Sequence, residues 1–477
     1  MAKGLDKGRR SSGFARNRER LTEPPEIATD DSFAAGERVV IAAFAGLVLA
    51  GLPLAFGGFE PRAYWSGVAL LAACLVWAAA RDPLAHRSLR RVFHALLAVG
   101  GIALLALAQG LFEVSWAPRA SLGAAASWLA IALAIALGAV LGRSRRARRA
   151  LLFSFVAGAV VQSIYGVTHW SKGARDIFGV PVASQPQRLK GAFVNPNHFA
   201  LLAVVALLAL QAWIWWGLRQ VREHDRRRDA PLLLVLPIAL WGLILAALLL
   251  SGSRSGLLAF AFGGIVQALV LSTASGRRLR GRAMMRALAV LALALVLVIA
   301  VALVLEWRVA TERWRNTTWA DVSLGARLAA WGTTASLWSS APLVGVGFGA
   351  FLDAFPQAAD GRFAGVSWEH AHNDWLELAV CGGLIGVALA GCALVPLTRR
   401  ALRVLARGRR SEDRAAGLFA CGALVAAGVQ EFFEFALLAP GNALSLALLL
   451  GAACGALSLG PEPSPSETPQ GASGRMS

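Results

Sequence analysis

The densest run of groups able to move a proton is Glu369-His-Ala-His-Asn-Asp-Trp-Leu-Glu377, which holds two of only seven histidines. An apolar stretch follows directly, so the segment reads as the lead-in to a helix, with Asp374 and Glu377 spaced as a capping box. Glu377 is then expected to cap rather than to act as an acid. His372 falls just ahead of the helix N-terminus, whose positive end disfavours imidazolium and keeps the ring able to accept a proton near pH 7. His370 shares the loop and can reach the same space. A zinc site on His370, His372 and Asp374 is the competing reading. The extended His-x-His spacing, with no further histidine in the loop, argues against it, so neither metal nor cofactor is expected.

A second set of groups is cationic. Arg254 stands in Ser251-Gly-Ser-Arg-Ser-Gly256, a short polar link between two apolar runs. Small neighbours there leave backbone N–H groups approachable, as an anion site requires; the alternative is an arginine that snorkels to lipid phosphate. Arg327 precedes Trp331 by one helical turn and is either an anion contact or a salt-bridge or cation–π partner. Arg188 and Lys190 come just before Gly191-Ala-Phe-Val-Asn-Pro-Asn-His198, where Asn195-Pro196-Asn197 reads as a turn and N-cap.

The elements that must position these groups are membrane helices. Of 477 residues 57% are hydrophobic and 16% charged, which excludes a soluble globular chain and requires charge to sit in loops. Apolar runs long enough to span a bilayer lie near 39–57, 63–80, 92–112, 120–141, 150–167, 198–217, 231–250, 255–272, 287–305, 375–397, 415–438 and 442–459. The expected fold is all-α: a polytopic membrane protein of about twelve transmembrane helices, with a long outer loop between helices nine and ten.

The 47 Lys and Arg residues divide 35 to 12 between alternate sides, which places both termini in the cytoplasm. A net charge of +19 invites a nucleic-acid reading, but arginine clusters such as Arg143 to Arg149 are topology anchors facing anionic lipid. No nucleic-acid partner is expected. The five cysteines are scattered through apolar stretches without disulfide or zinc spacing. Residues 1–38 read as a polar, disordered cytoplasmic tail, 39–305 as helices one to nine, 306–374 as the outer loop, 375–459 as helices ten to twelve, and 460–477 as a disordered tail. Within the outer loop, Leu324, Leu328, Trp331, Ala335 and Trp338 recur at helical spacing, an amphipathic helix lying on the membrane or over the bundle.

His372-Asn373, followed after nine residues by Gly383-Leu-Ile-Gly386, resembles the motif of the O-antigen ligase family, whose relatives include O-antigen and exopolysaccharide polymerases and bacterial O-oligosaccharyltransferases. Arg327-Leu-Ala-Ala-Trp331, Pro342-Leu-Val-Gly-Val-Gly347, Ser253-Arg254 and Asn195-Pro-Asn197 are similar to that family too, and the likeness spans about residues 188–390. The resemblance implies a multi-pass glycosyltransferase of the bacterial inner membrane working on the periplasmic face. The implied donor is a glycan on undecaprenyl pyrophosphate, and the acceptor a hydroxyl of lipid A-core, another glycan or a protein. His372 is then the catalytic base, Arg254, Arg327 and Arg188 the donor-pyrophosphate contacts, and Lys190, Asn195, Asn197, His370, Asn373, Gly383 and Gly386 the supporting residues. A polymerase of the same family, a lipid-linked oligosaccharide flippase or transporter, and a non-enzymatic assembly scaffold are the alternatives.

Overall fold

The computed structural model describes residues 31–182, 188–223, 232–274, 322–359, 363, 368–408 and 410–456. Among these the chain is helical, with one two-stranded hairpin. The helices are α1 (Asp31–Gly51), α2 (Pro61–Arg81), α3 (Ala85–Leu111), α4 (Pro118–Leu141), α5 (Arg145–Ser171), α6 (Pro196–Glu223), α7 (Leu232–Leu250), α8 (Arg254–Ala274), α9 (Val322–Trp338), α10 (Phe351–Ala358), α11 (Asp374–Arg407), α12 (Ser411–Gln430) and α13 (Pro440–Gly455). Strands β1 (Asp176–Ile177) and β2 (Val180–Pro181) pair antiparallel between α5 and α6.

Among the described residues eight helices are long and apolar enough to cross a membrane, and α7 and α13 supply shorter apolar segments. The chain is an all-α multi-pass membrane protein. α6 lies at its centre, with Phe199 to Leu210 buried throughout, while Leu47, Val76, Leu97 and Leu104 on outer helices point away from the protein as lipid-facing residues do. α4 packs on α3 and α13, α12 on α6 and α8, α1 on α5, and α11 on α3 and α12. Where α4 crosses α13, Gly138 and Gly142 meet the backbone of Leu448 and Ala452, and Gly451 and Gly455 meet that of Ile135 and Ala139. Two Gly-x-x-x-Gly stretches thus let two backbones touch, the close approach that replaces hydrophobic burial when the solvent is lipid.

Two expectations need correction. The run 415–438 is not one span: α12 ends at Gln430, and residues 431–439 form a turn with a short 3-10 segment before α13. Phe432, Phe433 and Phe435 keep that stretch apolar in composition, which hides the break. The expected stripe on α9 is also rotated. Leu328 and Trp338 are exposed, whereas Ala330, Thr334 and Leu337 are buried against the body of the protein. Ala330 and Thr334 are small enough for close packing, and Leu337 is buried beside them while Leu328 and Trp338 face outward. The expected span 287–305 lies outside the described residues.

The two ends of the bundle differ chemically. At one end Asp82 is shared by Arg38 at 3.1 Å and Arg143 at 3.2 Å, Arg148 pairs with Asp413, and Arg149 with Glu412. The opposite end gathers the α5–α6, α7–α8 and α12–α13 connections together with the segment leading into α11. The groups singled out above lie at this second end.

Candidate functional site

The glycines after His372 decide how its loop is held. Gly383 breaks α11 with φ 61° and ψ −166°, a conformation that L side chains avoid, and a Cβ there would overlap the Leu343 carbonyl. The break opens backbone groups for pairing: Leu384 N–H donates to Pro342 O at 2.9 Å and Ile385 N–H to Leu343 O at 3.1 Å. On its other side Val346 N–H reaches Val380 O at 2.9 Å, and the Gln109 amide donates to Val344 O and Cys381 O. Pro342–Gly347 and the glycine motif are therefore one structural unit. At Gly386 a Cβ would make only ordinary contacts, 3.5 Å from the Phe348 ring and 3.7 Å from the Leu378 carbonyl.

His372 has φ 51°, in the left-handed region that a histidine rarely occupies. The chain is pinned on both sides of it. Trp331 Nε1–H donates to Ala371 O at 2.9 Å and Glu377 accepts the Ala371 N–H at 2.8 Å, while the Asn373 side chain accepts the Leu376 N–H at 3.1 Å. Asn373, not Asp374, is thus the N-cap of α11. Glu377 also faces His370 Nδ1 at 3.0 Å, so it does structural work in the loop, reaching back beyond the expected capping box.

Glu434, in the α12–α13 turn, joins these parts and was not singled out in the sequence. It is 2% exposed. Its Oε1 accepts Asn197 Nδ2–H at 2.6 Å and Arg327 Nη2–H at 3.0 Å, and its Oε2 stands 3.6 Å from His372 Nδ1. Arg327 also donates to Phe433 O at 3.0 Å; its partner is the carboxylate, and Trp331 is engaged elsewhere. Asn197 Oδ1 accepts Arg188 Nη2–H at 2.6 Å, and Arg188 Nε–H donates to Ser251 O at 2.8 Å. One polar chain thus runs from the α7–α8 turn through Arg188, Asn197 and Glu434 to Arg327 and His372.

Arg254, three residues beyond Ser251, is half-buried and opens α8. Ser251 and Ser253 are fully buried beneath it, and Ser253 Oγ caps the Gly256 N–H at 3.2 Å. Asn195 caps α6, its Oδ1 accepting the Asn197 N–H at 2.9 Å. Lys190 lies apart from the carboxylate: 8% exposed, with Nζ lacking a hydrogen-bond partner among the described residues. Burial pushes that ammonium below the ordinary lysine range, opposed by Asp176.

The electrostatics of Glu434 oppose one another. Burial alone would raise its carboxyl, but His372 beside it, the Arg327 charge and the Asn197 amide outweigh burial and hold it below the usual carboxylate range. Glu434 is therefore an anion facing an imidazole, an arrangement that orients the ring. The Phe435 ring sits among three imidazoles, with centroids 4.8 Å from His198, 4.6 Å from His370 and 4.8 Å from His372. Among the described residues no group of three His, Cys, Asp or Glu is arranged to hold a metal ion.

A comparison with curated proteins finds no match. Residues 238–391 match the family model described as O-antigen ligase, a segment that carries Arg254, Arg327, the His372-Asn373 loop and the Gly383 break but neither Asn197 nor Glu434. Over that segment the chain is similar to the O-antigen ligase family.

Proposed function

We propose that this membrane enzyme transfers a glycan from undecaprenyl pyrophosphate to a hydroxyl acceptor, with lipid A-core as the acceptor, at the periplasmic face of the bacterial inner membrane. The observation that carries the reading is Glu434, one carboxylate holding Arg327 and Asn197 while facing His372. In this mechanism His372 takes the proton of the acceptor hydroxyl as its oxygen attacks the anomeric carbon. The bond from that carbon to the pyrophosphate oxygen breaks, and the undecaprenyl pyrophosphate departs with the electron pair. Glu434 balances the imidazolium formed. Arginine binds phosphate bidentately, so Arg254, Arg327 and Arg188 are assigned to the leaving pyrophosphate. Lys190, His370 and the asparagines support these groups.

A polymerase adding to another glycan would use the same chemistry and differ only in acceptor. A flippase or transporter fits less well, because the ion pairs described gather at the two ends of the bundle rather than along a midplane path. The orientation with both termini cytoplasmic rests on the basic residues, and it puts the arginine-rich end inside. The deciding experiment is reconstitution of the purified protein with undecaprenyl-pyrophosphate-linked glycan and either lipid A-core or free glycan. Transfer to lipid A-core is expected; elongation of free glycan alone would make it a polymerase, and no transfer to any hydroxyl would overturn the reading.

A further inference from the structure

A cleft opens between α5, α6, α12 and α13 at the arginine-rich end of the bundle, opposite His372, and the reaction just described makes no use of it. Its cause lies in the side chains. Six alanines, Ala209, Ala212, Ala415, Ala416, Ala452 and Ala453, line it, and α13 leans on α4 through its glycine contacts, so short side chains face a gap that they do not fill. With its open mouth the cleft holds about 640 Å³ of empty space. Protein interiors are packed as densely as organic crystals and an apolar void stays dry, so the occupant this lining selects is itself apolar.

The mouth of the cleft is cationic. Arg149 spans it, donating two N–H groups to Glu412 at 2.7 and 3.1 Å while its guanidinium carbon lies 5.2 Å from the centre of the Trp216 ring. Arg148 is committed to Asp413 and to the Gly142 carbonyl. Two carboxylates thus answer two arginines. Arg145 and Arg146, on the first turn of α5, are exposed and pair with no carboxylate among the described residues, and the exposed Arg410 directly precedes α12. A hydrogen bond of 3.0 Å from Gln220 to Ser411 brings Arg219 to the same rim, its guanidinium over Trp215. The rim keeps a surplus of positive charge after its internal pairs are satisfied. Trp213 and Trp216, one helical turn apart on α6, form a half-buried edge, as indoles do where hydrocarbon meets headgroups.

We propose that this cleft binds an anionic phospholipid of the surrounding bilayer, with an acyl chain among the alanines and the headgroup phosphate against Arg145 and Arg146. The dimensions fit. Lining residues run from Glu412 to Phe419 on α12 and from Ala209 to Trp216 on α6, so at about 1.5 Å per residue the cleft is about 10 Å deep, within the roughly 15 Å of hydrocarbon in one leaflet. It therefore takes a chain from the leaflet at the arginine-rich end and stops short of the other. Charge chooses the headgroup: the surplus arginines attract a lipid of net negative charge, whereas a zwitterionic headgroup brings its own cation to the rim. Arginines that only anchor topology attract anionic lipid diffusely; here the cleft fixes the chain as well. The lipid binds the folded chain and not the unfolded one, and so stabilises it.

The test uses the purified full-length protein in detergent, with phosphatidylglycerol as the probe against phosphatidylcholine of the same acyl chains, and needs no glycan transfer. Native mass spectrometry should show phosphatidylglycerol retained in preference, and it should raise the melting temperature more than phosphatidylcholine does. Equal retention and equal melting would overturn the proposal. Arg145→Ala with Arg146→Ala should weaken binding by roughly fivefold per arginine. Ala416→Phe keeps every arginine and fills the cleft, so it should abolish retention; loss in the arginine variant but not in Ala416→Phe would reduce the effect to surface charge and overturn the site. Glycerol phosphate, which has the charge without the chain, should leave the melting temperature unchanged, and equal protection by it would replace the lipid with a free phosphate. In wild type, phosphatidylglycerol carrying a diazirine on its acyl chain should cross-link to Leu152 and Leu449, which line the cleft. Adducts confined to outward-facing residues such as Leu97 and Leu104 would overturn the proposal even if neither variant folds.

Discussion

His372 Nδ1 lies 3.6 Å from Glu434 Oε2, and the other oxygen of the same carboxylate is fixed from two sides by Asn197 and Arg327. With Oε1 held, Oε2 cannot rotate away from the ring. Nδ1 is thereby directed inward, and in the proposed mechanism Nε2 is the nitrogen that meets the acceptor hydroxyl. The 3.6 Å separation exceeds a normal hydrogen bond.

Glu434→Gln is expected to keep the fold and to lower transfer strongly, because an amide neither balances an imidazolium nor pairs with Arg327. Glu434→Ala should also destabilise, by about 3 kcal/mol or more, since it strands a buried asparagine amide and an arginine together. The checks are transfer rate and melting temperature in parallel. Wild-type rate in Glu434→Gln would exclude the carboxylate from the reaction.

His372→Asn separates chemistry from folding, because asparagine tolerates a positive φ better than most residues. Transfer should drop about 100- to 10,000-fold while donor binding persists. His370→Ala, which removes the contacts to Glu377 and the Phe435 ring, should lose less. EDTA is expected to leave the wild-type enzyme active; loss on chelation and recovery with zinc would point to a metal mechanism.

The arginines should tolerate lysine poorly. For Arg254→Lys a loss of about 2 to 3 kcal/mol in transition-state binding corresponds to roughly 30- to 150-fold in rate. Arg327→Lys should be at least as damaging, since one ammonium cannot reach both Phe433 O and Glu434 in the geometry of the guanidinium fork. Arg188→Lys should lose the bridge from Ser251 to Asn197. Near-normal kinetics for both Arg254→Lys and Arg327→Lys, at normal abundance, would remove them from pyrophosphate binding.

Gly383→Ala is expected to abolish accumulation of folded protein, because the new methyl meets the Leu343 carbonyl at a backbone angle alanine avoids. Gly386→Ala makes only ordinary contacts, with the Phe348 ring and Leu378, and should be mild. Membrane abundance and detergent melting temperature distinguish them, and equal behaviour would contradict the close contact at Gly383.

Orientation is tested with single cysteines in a background lacking the native five. Arg175→Cys, at the end of the bundle with His372, should label with an impermeant maleimide in intact cells, and Arg87→Cys, at the arginine-rich end, should not. The opposite pattern would invert the topology.

Much of this protein was legible without coordinates, because a bilayer imposes local rules. A run of about 20 apolar residues spans it, arginines collect on one side, and a polar loop stands out against such a background. The His372-Asn373 loop, Arg254 and the α6 cap at Asn195 were visible for that reason. Glu434 was not: it sits among phenylalanines in a stretch whose composition continues the helix, and nothing near it in sequence needs a carboxylate. Its partners come from α6, α9 and the loop before α11. Likewise Gly383 and Pro342–Gly347 appeared as separate motifs until a helix break paired their backbones. Hydropathy and periodicity are properties of neighbours along the chain, whereas the partner of a buried charge is chosen by the cost of desolvating it, which only the assembled bundle determines.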